Sequence, residues 1–160
     1  MTVHDLYLLS PEVSLAGLGL IVILLDMVIT NKSRLVWISC VGLLIPLIFS
    51  LMLWSDLNTN SSGQMIGIFD TLVVDKFAIF FKILILAVVG AVVISSADYM
   101  SKMKNLEGEY YGLMLFSASG MMLLAATTDL ISIYIAMELT ALPLAALAAF
   151  LRDSKSTESG

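Results

Sequence analysis

Charge is scarce in this chain. Asp, Glu, Lys and Arg make up 13% of its 160 residues while 59% are hydrophobic, against roughly 25% charged in ordinary soluble domains. A water-soluble fold of this size must still present a largely polar exterior, so this composition excludes one, and lipid is the solvent that fits. Basic residues are the scarcer sign, 8 against 13 acidic, for a net charge of −5. No basic patch exists to release counterions from phosphates, which excludes nucleic acid as a partner. His4 is the single histidine, so a His-based metal site or catalytic dyad is excluded. Cys40, also alone and set in an apolar run, has no disulfide partner and reads as a buried, inert thiol. No glycine-rich phosphate loop follows a strand, and no Ser–His–Asp set can form. No Lys or Arg precedes the first apolar run, that run is longer than a signal-peptide core, and no A-x-A pattern follows it. The N-terminus therefore reads as a retained helix.

What is present is length of apolar run. A helix needs roughly 20 such residues to cross the hydrocarbon layer. Five stretches qualify: Leu6 (or Val13) to Ile29, Leu35–Trp54, Phe77–Ser96, Tyr111–Ala126 with Thr127 and Thr128 added, and Leu130–Leu151. The connectors between them are short and polar. Ser55–Asp75 alone contains an apolar patch, Met65–Phe69, followed by TLVV, and reads as a short hairpin or strand at the surface. No internal repeat is visible. The expectation is an all-α fold, a polytopic transmembrane bundle of five spans forming one membrane domain over residues 1–160, with the lipid bilayer as its surroundings.

Orientation follows from the basic residues. If five helices alternate, Lys32, Arg34, Lys102, Lys104, Arg152 and Lys155 share one side, while Lys76 lies on the other and Lys82 just inside the third span. The positive-inside rule then puts the N-terminus outside and the tail RDSKSTESG in the cytoplasm or its equivalent. Trp54, Tyr99, Tyr110 and Tyr111 fall near the expected interfaces.

Glu138 is the strongest chemical signal. It lies about 12 Å along the fifth span from Leu130 at ~1.5 Å per residue, where an acid costs on the order of 3 kcal/mol. Desolvation favours its protonated form, which suits proton exchange. The plainer reading is a structural residue bonded to a neighbouring helix. Ala141, Ala145 and Ala149 share its face and would let another helix come close, and Tyr134, one turn earlier, could bond the carboxylate. Both point to an interior position. Pro143 cannot donate to the carbonyl of Leu139, which leaves an acceptor beside the acid, or simply kinks the helix for packing. Lys82 reads either as snorkelling or ion-paired, or as part of a charge pathway. Asp26 marks the inner end of the first span or joins such a pathway. Asp129 and Asp75 read as N-caps of the fifth and third helices, and the ten methionines as gap fillers.

Three segments carry a family resemblance: LLSPEVSLAGLGLIVILLDM (Leu8–Met27), VVDKFAIFFKILIL (Val73–Leu86) and GEYYGLMLFSASGMMLLAATTDLISIYIAMEL (Gly108–Leu139). With them the chain resembles the N-terminal part of NADH–quinone oxidoreductase subunit N, an antiporter-like membrane subunit of respiratory complex I. SKSTESG looks like the start of that family's cytoplasmic linker. The resemblance implies proton translocation coupled to electron transfer from NADH to quinone elsewhere in the complex. No cofactor would be bound by this chain itself; NADH and quinone are used by the complex. The implied partners are other membrane subunits of complex I, especially neighbouring antiporter-like subunits. The implied location is a cell inner (plasma) membrane, or an organellar energy-conserving one. Glu138 falls on the family's fifth-helix glutamate, paired there with a lysine on a later helix. Lys82 matches a lysine often seen in the third helix and is a possible charge partner. The later lysines are absent here, so the chain alone is expected not to pump. Related cation/proton antiporters, membrane hydrogenases and a purely structural membrane module remain the alternatives.

Overall fold

The computed structural model describes residues 3–29, 33–59, 62–100 and 107–158. They form α1 (Val3–Leu8), α2 (Ser10–Val28), α3 (Ser33–Gly42), α4 (Leu44–Thr59), β1 (Gln64–Gly67), β2 (Leu72–Asp75), α5 (Lys76–Met100), α6 (Glu107–Ala126) and α7 (Leu130–Glu158). Four helical stretches are long and apolar enough to cross a membrane: Ser10–Val28, Arg34–Thr59, Lys76–Met100 and Leu130–Ala149. The chain is a mostly helical membrane protein.

The expected boundaries shift for local reasons. The first run is divided at Leu9, where Pro11 opens α2 in the first-turn position that needs no N–H. The second is interrupted at Leu43 because Pro46 has no N–H to give the carbonyl of Gly42, although Leu47 N still reaches Leu43 O at 3.3 Å. Asp75 and Asp129 act as N-caps: Asp75 Oδ1 accepts from Ala78 N at 2.7 Å, and Asp129 Oδ2 from Ile131 N and Ser132 N at 3.2 and 3.3 Å. At the other end α7 runs on to Glu158, so the segment read as the start of a linker begins as helix. Lys32, Lys102 and Lys104, which carry much of the orientation argument, lie outside the described residues, as does the side chain of Lys155.

The surface segment after α4 is a hairpin, β1 antiparallel to β2 with Met65 opposite Val74. Its tip is unusual. Ile68, Phe69 and Asp70 all have left-handed φ, 50°, 53° and 65°, a conformation unfavourable for a β-branched residue such as Ile68. Asp5 Oδ1 accepts from Ile68 N at 2.9 Å and Thr128 N donates to Thr71 O at 3.0 Å. The first helix and the α6–α7 connector thus clamp the hairpin in place. Leu8, Leu53, Leu57, Val74 and Ile79 pack beneath it.

α6 is the centre of the bundle, packed against α2, α5 and α7. It is less apolar than α2 and α5 and is not among the four membrane-length apolar helices. Small residues explain how it takes the middle. At Gly112, a Cβ would collide with Ile23 of α2 and stand 3.1 Å from Gly19 O. At Gly120, one would stand 2.7 Å from both Thr140 N and Thr140 Oγ1 of α7. Such close crossings are the usual device of membrane helices, where packing replaces hydrophobic exclusion. Tyr111 is fully buried in this core. Cys40 is half-buried against the core's edge, less enclosed than expected.

Candidate functional site

Two acids within the apolar bundle define the chemistry, and they have opposite surroundings. The first is Glu12, in the opening turn of α2, only 5% exposed. Facing it is Lys82, about 9 Å along α5 from Lys76 at ~1.5 Å per residue and 0% exposed. Lys82 therefore does not snorkel. Its Nζ lies 2.6 Å from Glu12 Oε1, an ion pair by distance whose alignment falls short of a hydrogen bond; neither Glu12 Oε2 nor Lys82 Nζ has a hydrogen-bond partner among the described residues. The contact ties α2 to α5, two helices that otherwise share few contacts. Each ion loses several kcal/mol of hydration at such a site, and only the opposite charge makes burial tolerable.

Glu12 is the residue that sequence reasoning missed. After Ser10 and Pro11 it looks like an ordinary first-turn acid, favoured there by the helix dipole. A signal was nonetheless present. A lysine one to two turns inside an apolar span needs a counter-charge at the same level, and Glu12 is at the matching end of the first span.

Glu138 is the second acid. α7 leans chiefly on α6 through Ala136, which is fully buried, and through Thr140, whose carbonyl accepts from Ser117 Oγ at 2.9 Å. Glu138 stands two residues from each, about 200° around the helix at ~3.6 residues per turn. It is half-buried and turned away from α6. It has no hydrogen bond or ion pair with the described residues. Tyr134 is 64% exposed and does not bond it, and Ala141, Ala145 and Ala149 are exposed as well. Within the described residues this face is open, so none of them supplies the interior contact expected of it. Lys82 is not the counter-charge of Glu138, because it is engaged by Glu12. Pro143 is accommodated inside α7 and half-buried. The nearby carbonyl that another helix does engage is Thr140's, not Leu139's.

A groove of about 350 Å³ runs between α2 and α7 over α6, and Glu12 is part of its wall. Thr71, Ser119, Thr127 and Ser132 also line it, among aliphatic side chains. At the inner end of the bundle, Asp26 sits against the backbone of α6 at Gly108, where any Cβ would clash with it. Outside the membrane-length helices, Tyr7 donates to Asp56 Oδ2 at 2.6 Å. Burial, with Asp56's bond and charge, pushes its phenol up to about 12. Among the described residues no group of three His, Cys, Asp or Glu is placed to hold a metal ion.

Fold and site together define a polytopic helical membrane protein that carries charge inside its apolar bundle. Comparison with known proteins adds the family. The chain is 40% identical over 159 residues to the NADH-quinone oxidoreductase subunit N of Trichlorobacter lovleyi, covering 98% of this chain and 31% of that protein. The subunit N of Rhodobacter capsulatus is 37% identical, covering all of this chain and 33% of its own length. That of Dehalococcoides mccartyi is 34% identical over 95% of this chain and 30% of the relative. The chain is homologous to NADH-quinone oxidoreductase subunit N and corresponds to part of it, as its three resembling segments implied. It spans about a third of the length of the curated relatives it matches. No family model matches the chain.

Proposed function

We propose that this chain is the N-terminal part of a proton-translocating membrane subunit of an NADH–quinone oxidoreductase. Sequence identity running the length of the chain, to relatives that carry that name, supports this reading above related antiporters or hydrogenases. In this reading the bundle has five spans, with α6 crossing inside a sheath of α2, α5 and α7. The hairpin end faces outward, and the end carrying Arg34 and Arg152 faces the cytoplasm, in keeping with the positive-inside rule. The membrane is the cell's inner membrane. The partners are the other membrane subunits of the complex, among them neighbouring antiporter-like subunits. NADH and quinone react elsewhere in the assembly.

Glu138 is the proton-relaying group. The observation that carries this role is its placement: an acid within an apolar helix, on a face without a partner among the described residues. An unpaired carboxylate at membrane depth is costly. The face is therefore suited to a further helix bearing a cation, and moving that cation toward or away from Glu138 would release or load a proton. Tyr134 and the row Ala141, Ala145 and Ala149 would line the contact.

The test is Glu138→Gln in the assembled complex, a change that keeps size and most hydrogen bonding but removes ionisation. The expected result is normal assembly with proton pumping and coupled quinone reduction lowered at least tenfold, within the ~10²–10⁴ range typical of positioned acid–base groups or just below it. Pumping at the unsubstituted rate would remove Glu138 from the mechanism. Failure to assemble would make it a structural residue.

A further inference from the structure

The Glu12–Lys82 pair is not used by the proposed route through Glu138, yet its state is chemically poised. Its two charges are all but fully buried. One carboxylate oxygen, Oε2, has no donor among the described residues, and the ammonium has no well-aligned acceptor. A buried pair with so few hydrogen bonds is poorly compensated for its lost hydration. The Nζ–Oε1 distance of 2.6 Å is within the reach of direct proton transfer once Lys82 turns an N–H onto Oε1. In that step an N–H bond of Lys82 breaks and an O–H bond forms on Glu12. Both charges vanish together, and no electrons are exchanged.

The groove supplies a way out for the proton. Glu12 forms part of its wall, and at about 30 Å³ per molecule its volume admits several waters. Three of its hydroxyls have already committed their hydrogens to the backbone. Thr71 Oγ1 donates to Ile68 O at 2.7 Å, Ser119 Oγ to Phe116 O at 2.9 Å and Thr127 Oγ1 to Leu123 O at 2.7 Å. Each hydroxyl oxygen remains an acceptor. Both Glu12 oxygens are sealed from the groove while the pair is closed, so the protonated carboxyl must first turn from Lys82 into the groove its residue lines. A water held by one of these hydroxyls then takes the proton and passes it toward the hairpin end. Leu139, the neighbour of Glu138, is on the far wall of the same groove.

We propose that Glu12 and Lys82 form a second proton-exchanging site at the hairpin end of the bundle, connected to the surface through the groove between α2 and α7. The proposal rests on the reading of this chain as part of a proton-translocating subunit. The alternative role of the pair is a staple between α2 and α5, and Lys82→Arg separates the two. Arginine keeps a positive partner for Glu12 but does not give up its proton. The double variant Glu12→Gln/Lys82→Met removes both charges, a change that buried pairs often tolerate without loss of stability.

Both variants are measured in the assembled complex in sealed vesicles, beside Glu138→Gln and the unsubstituted protein. The expected result is normal assembly of both, with proton pumping and coupled quinone reduction lowered about tenfold or more. Pumping at the unsubstituted rate in either variant would overturn the proposal. Failure of both to assemble would show a staple and overturn it as well. A loss in Glu138→Gln without a loss in Lys82→Arg would sink this inference alone, whereas an unsubstituted complex that pumps no protons would sink the functional reading beneath it.

Discussion

Substituting one glycine tests whether α7, and with it Glu138, is held by the close crossing on α6. A Cβ at position 120 would stand 2.7 Å from Thr140 N and Thr140 Oγ1 and 2.9 Å from Leu139 C. Two of the three obstacles are backbone atoms, which cannot swing away as a flexible side chain can. Ordinary contact begins at 3.4 Å, so α7 must retreat by about 0.7 Å. A shift of that size along the Ser117–Thr140 direction would lengthen their 2.9 Å hydrogen bond to about 3.6 Å, where it no longer counts as one. Overpacking of this kind costs about 1–3 kcal/mol, and the lost bond about 0.5–1.5 kcal/mol. The better helix propensity of alanine returns only about 1 kcal/mol. Gly120→Ala should therefore destabilise the folded protein by about 1–3 kcal/mol net. Gly17 of α2 is the control, since a Cβ there meets nothing within 4 Å; Gly17→Ala should be stabilising by about 0.5–1 kcal/mol. Thermal unfolding of the full-length protein in detergent, followed by circular dichroism, compares the two. Equal and favourable effects at both positions would refute the crossing.

Two other consequences can be checked. Lys82→Met alone leaves Glu12 buried without its cation and should cost about 3–5 kcal/mol, most of it recovered when Glu12→Gln is added; a single variant as stable as the parent would contradict the buried pair. Tyr7 tests the hairpin end through pH. Its phenol is pushed up to about 12 from the ordinary 10.0, so folding favours the neutral form. Its contribution to stability is fully present below about pH 10 and fades as pH rises toward 12. Tyr7→Phe should flatten stability across that window, as followed by unfolding midpoints measured between pH 9 and pH 12 (roughly, the window set by linkage).

The parts of the fold that could be read in the sequence are those that depend on neighbours along the chain. Apolar length placed the helices, single aspartates at 75 and 129 capped two of them, and alternating apolar residues after Gly63 paired as strands. Relations between segments were harder to read. Glu138 was assigned an interior face because small residues accompany it, but small residues mark a face that another helix can approach, not which helix does. The face that α6 takes is instead the one bearing Ala136 and Thr140, fixed by the gap at Gly120. Glu12 went unseen because first-turn acids are common, and only the level of Lys82 in another span made it special. Pro46 interrupted the second run although hydropathy alone treats that run as continuous.

The central position of α6 has a consequence for how such a chain is made. Its glycines and serines gain little from contact with acyl chains, while its steric fit is to α2 and α7. Left alone at the translocon, it would partition weakly. α2 precedes it in synthesis and offers the notch around Gly19, so biogenesis of the subunit should depend on the first hairpin of helices waiting in the bilayer to receive a segment that lipid by itself would hold poorly.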